Sequence, residues 1–181
     1  MSPIDLISSV VEKLCRKYRT RDPYELCKAL GVKIRLKDLG TDIKAYYFYQ
    51  SRISNIVLNW NVSESVRLIL TGHELGHDQL HRDIAKIKGF QETELFVASS
   101  PNEYEANVFA AELLIDEKRL LLLLNDDVPF FDMAMELDVP PALLDFKFRV
   151  MKHKGYPIEA PYIAHGDFLK NDIDGCFEQD N

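Results

Sequence analysis

His73-Glu74-Leu75-Gly76-His77 is the stretch on which the reading of this chain turns. Two histidines four residues apart on a helix project from one face about one turn apart, so both imidazoles can reach a single Zn²⁺. The glutamate after the first histidine stands beside such an ion rather than on it. There it can take a proton from an activated water and later pass it to a leaving amine.

The flanks supply a helix for the motif. Ile53-Ser54-Asn55-Ile56-Val57-Leu58-Asn59-Trp60 is β-like and ends in an Asn-Trp-Asn turn. Ser63 then offers an N-cap, and Val66, Ile69, Leu70, His73 and His77 continue one apolar stripe. Both histidines therefore face inward, with Glu64, Arg67 and Asp78 expected on the solvent side.

A catalytic zinc site needs a third protein ligand. Pro101 opens an alanine-rich run, Asn102-Glu103-Tyr104-Glu105-Ala106-Asn107-Val108-Phe109-Ala110-Ala111-Glu112-Leu113-Leu114, that reads as a second helix. Glu103 and Asn107 share one of its faces, and Ala106, Ala110 and Leu113/Leu114 share another. The small alanines allow close approach to the histidine helix. Glu103 can then reach the metal, while Asn107 can accept the outer N–H of a ligand histidine. Glu105 points to another side and is the alternative ligand. His81 comes too early for a third histidine of the H-E-x-x-H-x-x-G-x-x-H kind, and Leu80 stands where that pattern has glycine. It is expected in a supporting or packing role behind His77.

HELGHDQLH (73–81) followed by EYEANVFAAELL (103–114) resembles the ImmA/IrrE family of zinc-dependent metallopeptidases, small cytoplasmic proteins of bacteria, phages and mobile elements. The likeness covers roughly residues 5 to 155, with nearly all specificity in the two motifs. It implies His73, His77 and Glu103 as metal ligands and Glu74 as the catalytic base. It also implies an α+β fold: a zincin-like core over residues 1–125, with a short antiparallel sheet packed on the two motif helices. A C-terminal helical pair over 126–155 and an extended or partly disordered tail over 156–181 follow. The implied activity is cleavage of a protein substrate, a regulatory protein such as a helix-turn-helix repressor, which makes the chain an anti-repressor. The alternative is a zinc-containing regulator that binds protein or DNA without cleaving. Ile115-Asp116-Glu117 departs from the Met-Pro that often follows in the family, which bears on how the helix ends rather than on the site.

Composition bounds other classes. A net charge of −7 argues against a general nucleic-acid coat. No apolar stretch has the length of a membrane span, and Met1-Ser2-Pro3-Ile4-Asp5 lacks a secretory pattern, so a cytoplasmic protein is expected. Cys15, Cys27 and Cys176, an odd number at unrelated spacings, read as reduced thiols.

The remaining elements follow from caps and periods. Helices are expected over Pro3–Tyr18 and from Pro23 to Gly31, with Asp22 as N-cap. Strands are expected near Val32–Leu36, Lys44–Tyr49 and Ile53–Leu58, the last two forming a hairpin at Gln50-Ser51-Arg52. The stretch from Arg82 to Ser100 reads as a long connection framing a cleft. Short helices near Phe130–Leu137 and Pro141–His153 have a helix-turn-helix cadence, but the second carries mostly core residues. The open edge of the strand pair at 44–58 is expected beside the metal, where a substrate peptide could add as a further strand. Tyr46, Tyr47 and Arg149 are candidate oxyanion partners.

Overall fold

Ser63 turns the chain out of the sheet and into its central helix: its hydroxyl accepts from the Val66 N–H, as its N-cap position predicts. The fold is that of a computed structural model, which describes residues 2–87, 89–92 and 100–163. In chain order the elements are α1 (Pro3–Tyr18), α2 (Pro23–Leu30), β1 (Lys33–Lys37), β2 (Ala45–Gln50), β3 (Ile53–Asn59) and α3 (Glu64–Leu80). Then come α4 (Arg82–Ala85), β4 (Phe90–Glu92), α5 (Pro101–Leu114), α6 (Glu117–Asn125), α7 (Phe130–Glu136) and α8 (Pro141–His153).

Local chemistry explains most boundaries. Ser2 and Asp5 make a reciprocal capping box at the head of α1. Asp22 accepts from the Tyr24 and Glu25 N–H groups, and Gly31 closes α2 in the left-handed conformation. Ser51 and Arg52 both take positive φ, the two-residue turn whose twist suits a β2–β3 hairpin.

The sheet is mixed rather than antiparallel. Its order is β1-β3-β2-β4; β2 runs antiparallel to both neighbours, but β1 pairs parallel with β3. The reason lies in burial. β3 is buried along nearly its whole length and takes the centre, so β1 and β2 must flank it. The connection between them crosses the sheet end, held by Asn59 Nδ2 donating to the Gly40 and Ile43 carbonyls.

The expected loop from Arg82 to Ser100 also needs correction. It contains the short helix α4 and the strand β4, which pairs with β2 from Tyr47↔Phe90 to Ala45↔Glu92. Residues 93–99 lie outside the described residues.

Helix α3 is sandwiched between the sheet and α5, so Thr71 through Asp78 are all buried. Asp78 is therefore not on the solvent side. Its carboxylate accepts from Tyr47 Oη at 2.9 Å, from Ser54 Oγ, from Gln79 Nε2 at 2.6 Å and from Arg82 NH2 at 2.7 Å. These bonds lock the end of α3 to β2 and β3. On the opposite side Gly76 meets α5 with no side chain between: a Cβ there would lie 3.2 Å from Ala106 Cα.

Helix α8 packs against α5, and Ala142 through Met151 are buried. Two of its cations, Lys147 and Arg149, are buried. Lys147 pairs with Glu112 of α5, and Lys154, just past the helix, reaches Glu112 at 3.0 Å and Glu117 at 2.8 Å. Arg149 bonds Asp145 at 2.6 Å and lies over the rings of Phe146 and Tyr162. Met133 and Ala134 of α7 join the same core as α3 and α5. The expected tail is described only to residue 163, without helix or strand beyond α8; residues 164–181, with Cys176, lie outside the described residues.

Candidate metal centre

The imidazoles of His73 and His77 leave α3 one turn apart and meet Glu103, from the first turn of α5, in one buried cluster. Glu103 Oε2 lies 3.2 Å from His73 Nε2 and 3.4 Å from His77 Nε2, and the two Nε2 atoms are 3.1 Å apart. Among the described residues these three alone form a group of potential metal ligands within mutual reach. The first turn of α5 is fixed by Ser100, whose hydroxyl accepts from the Glu103 N–H. Its far end is tied down by Arg21, which donates to the Glu112 and Leu113 carbonyls.

The outer ring nitrogens explain why this cluster fits a cation. His73 Nδ1 lies 2.9 Å from Asn107 Oδ1, an atom that can only accept, so the ring proton sits on Nδ1. His73 Nε2 is left as a lone pair facing Glu103. A carboxylate oxygen and imidazole lone pairs converging in a buried space are the donor set of a divalent metal. The residues present thus fit the ion that their motif implies. Glu74 lies on α3 between the two histidines and is buried with them.

Burial pushes the His77 imidazole down to about 4, with the Glu103 hydrogen bond opposing it. Burial works to raise the Glu103 carboxyl as well, but the two imidazoles set against it hold the group well below the usual carboxylate range. The site therefore presents neutral His77 and ionised Glu103 at neutral pH, the protonation states that a metal requires.

The other expected residues take different places. Glu105 is not in the cluster; its Oε2 lies 2.9 Å from His81 Nε2. His81 in turn stands behind His77, their Nδ1 atoms 3.1 Å apart. Tyr47 is fully buried with its hydroxyl donated to Asp78, so it is not available to a developing oxyanion. Arg149 is engaged by Asp145 and two aromatic rings, and Tyr46 stacks on Phe48. The edge of β2 expected beside the metal is occupied by β4 of the same chain.

One neighbour of the site has no signal in the sequence. The Phe90 ring of β4 lies flat on His77, with centroids 4.0 Å apart and planes 14° apart. A lone phenylalanine after Gly89, in a stretch without period, gives no hint of that contact.

Two histidines one turn apart on a buried helix, completed by a carboxylate from a second helix, give this α+β protein a group of residues that could hold a metal ion. Residues 27–149 match the family model described as the IrrE N-terminal-like domain, of the M78 peptidases. The chain belongs to that family, and a metallopeptidase family implies a metal. It is 34% identical over 145 residues to immunity region protein 2 of Bacillus phage phi105, covering 80% of this chain and 90% of that protein. It is 24% identical over 147 residues to the metallopeptidase ImmA of Bacillus subtilis strain 168, covering 78% and 83%. Among the described residues no helix is long and apolar enough to cross a membrane.

Proposed function

We propose that this chain is a zinc-dependent endopeptidase that cleaves a regulatory protein, a helix-turn-helix repressor of a phage or mobile element, in the cytoplasm. The observation that carries the reading is the convergence of His73, His77 and Glu103 around one point, with Glu74 on the same helix between the histidines. Zinc held by those three residues would supply Lewis-acid polarisation of the scissile carbonyl and of water. Glu74 takes the proton of the attacking water and returns it to the leaving amine. Asn107 holds the His73 ring in the tautomer that keeps Nε2 open. The relatives support the context: one is named as a metallopeptidase and the other as a phage immunity-region protein.

The place for the substrate follows from β4. Among the described residues that strand is an edge of the sheet, and its Phe90 touches His77. An extended peptide would pair along its outer side by backbone hydrogen bonds. The alternative reading, a regulator that binds DNA without cleaving, gains nothing from α8, whose Lys147 and Arg149 are buried and paired rather than offered to phosphates or base edges.

The test is Glu74→Gln, assayed on the helix-turn-helix repressor encoded nearest to this gene. The variant should bind zinc and fold as the wild type does, while cleavage falls by about 10²–10⁴-fold, the range for a lost general base. Full cleavage by the variant would remove Glu74 from the mechanism. Full biological activity without cleavage would favour the regulator.

A further inference from the structure

Glu105, His81 and His77 form a hydrogen-bonded row that leads away from the candidate metal centre. Glu105 Oε2 lies 2.9 Å from His81 Nε2, and His81 Nδ1 lies 3.1 Å from His77 Nδ1. The His77 and His81 side chains are buried, and that of Glu105 is 31% exposed. The three residues sit on two helices, α5 and the end of α3, so the row also spans the seam between them.

The direction of the row follows from what each atom can do. An ionised carboxylate only accepts, so His81 Nε2 carries a proton and donates it to Glu105. When His81 carries a single ring proton, that proton on Nε2 leaves Nδ1 as an acceptor. His77 Nδ1 must then donate, and His77 Nε2 is left as a lone pair turned toward Glu103 and His73. Asn107 Oδ1 does the same for His73 directly. The two ligand histidines thus reach one tautomer by different means, one through an amide and the other through a second imidazole anchored on a carboxylate.

We propose that Glu105, acting through His81, is a positioning residue for His77: the row fixes the ring proton on Nδ1 and aims Nε2 at the cation. The proposal rests on the metal-site reading above and adds two residues and a direction to it. Without the Glu105 acceptor, His81 is free to carry its proton on Nδ1. That proton points at His77 Nδ1 and drives the His77 proton onto Nε2, where the metal must bind.

The experiment compares wild type, Glu105→Ala and Glu105→Gln, because the glutamine keeps an acceptor oxygen at the end of the row. Zinc affinity is measured by competition with a chromogenic chelator. The ring tautomers are read from long-range ¹H–¹⁵N spectra of the metal-free and zinc-loaded chains, and urea unfolding monitors the fold. In Glu105→Ala, zinc affinity should fall by about 10–100-fold, the usual effect of losing a partner of a metal ligand, and the Nε2–H pattern of His81 should disappear. Glu105→Gln should keep that pattern and stay within about threefold of wild type in affinity, on the same scale. Unchanged histidine signals and zinc affinity in Glu105→Ala would overturn the proposal, as would a glutamine variant as impaired as the alanine. A wild-type chain that binds no zinc but shows the Nε2–H tautomer at His81 would refute the metal reading and leave the row standing.

Discussion

Replacing Gly76 by alanine should separate the two helices that build the site. A Cβ at Gly76 would lie 3.2 Å from Ala106 Cα, 3.2 Å from Phe109 Cβ and 3.3 Å from the Ala106 carbonyl oxygen. Two of those atoms are backbone, so no side chain can rotate away. Carbon contacts are comfortable at about 3.5–4.0 Å, which requires α5 to retreat by about half an ångström at the crossing. Overpacking of this kind costs about 1–3 kcal/mol. The gain from alanine over glycine in a helix interior offsets about 1 kcal/mol. The net expectation is a loss of about 1 kcal/mol. Gly72, one turn earlier, is the control. A Cβ there would meet Leu114 Cδ1 at 3.3 Å and Ala110 Cβ at 3.8 Å, and the leucine tip can move. Gly72→Ala should therefore stabilise by about 0.5–1 kcal/mol through helix propensity. The assay is urea unfolding of the metal-free chains, followed by zinc competition. Gly76→Ala should lose zinc affinity because Glu103 rides on α5, whereas Gly72→Ala should not. If Gly76→Ala proves as stable as Gly72→Ala, the backbone contact does not set the spacing and the argument fails.

Other expectations concern single groups. Asn107→Ala should weaken zinc binding by about 10–100-fold, while Asn107→Asp keeps an acceptor for His73 and loses less; equal losses in a chelator competition would refute the tautomer argument. Lys147→Met should cost about 3 kcal/mol in urea unfolding, the low end for a broken buried pair, since Lys154 stays 3.0 Å from Glu112. A cost near zero would show that the pair is dispensable. The metal-free chain should lose stability on acidification. The folded His77 pKa of about 4 lies below its unfolded value of about 6.5, so the unfolded chain takes up the proton first. This contribution is intact above pH 6.5 and lost as pH falls toward 4. A His77→Gln variant should show a shallower decline in urea midpoint over that window, and an unchanged slope would sink the assignment.

The clustering of the candidate site residues was legible because their spacing is local. His73, His77, Glu103 and Asn107 are placed by helical spacing and by caps at Ser63 and Ser100, all readable from residue order. Helices α1, α2, α7 and α8 and the β2–β3 hairpin were legible for the same reason, whereas α4 and α6 were not. What escaped depends on contacts distant in sequence. Asp78 reads as a surface residue by its turn of the helix, yet the sheet covers that side and supplies Tyr47 and Ser54 as donors. The parallel pairing of β1 depends on which strand claims the centre, a matter of total burial rather than of pattern. The three residues of β4 are too few for a period, and only pairing with β2 defines them as a strand. Glu105 was weighed against Glu103 as a ligand, and helix geometry does place it on another side. Its actual partner, His81, could not be named without the angle at which α3 crosses α5.

The stacking of Phe90 on His77 also turns the protein into its own reporter. At 4.0 Å and near-parallel planes, the imidazole protons lie within the ring current of the phenyl group. Their resonances should sit upfield of those of an ordinary histidine and return when β4 leaves the sheet edge. A peptide that pairs with β4 in place would leave that shielding intact, whereas one that displaces the strand would abolish it. One proton signal, without label or probe, thus distinguishes a substrate that extends the sheet from one that replaces its last strand.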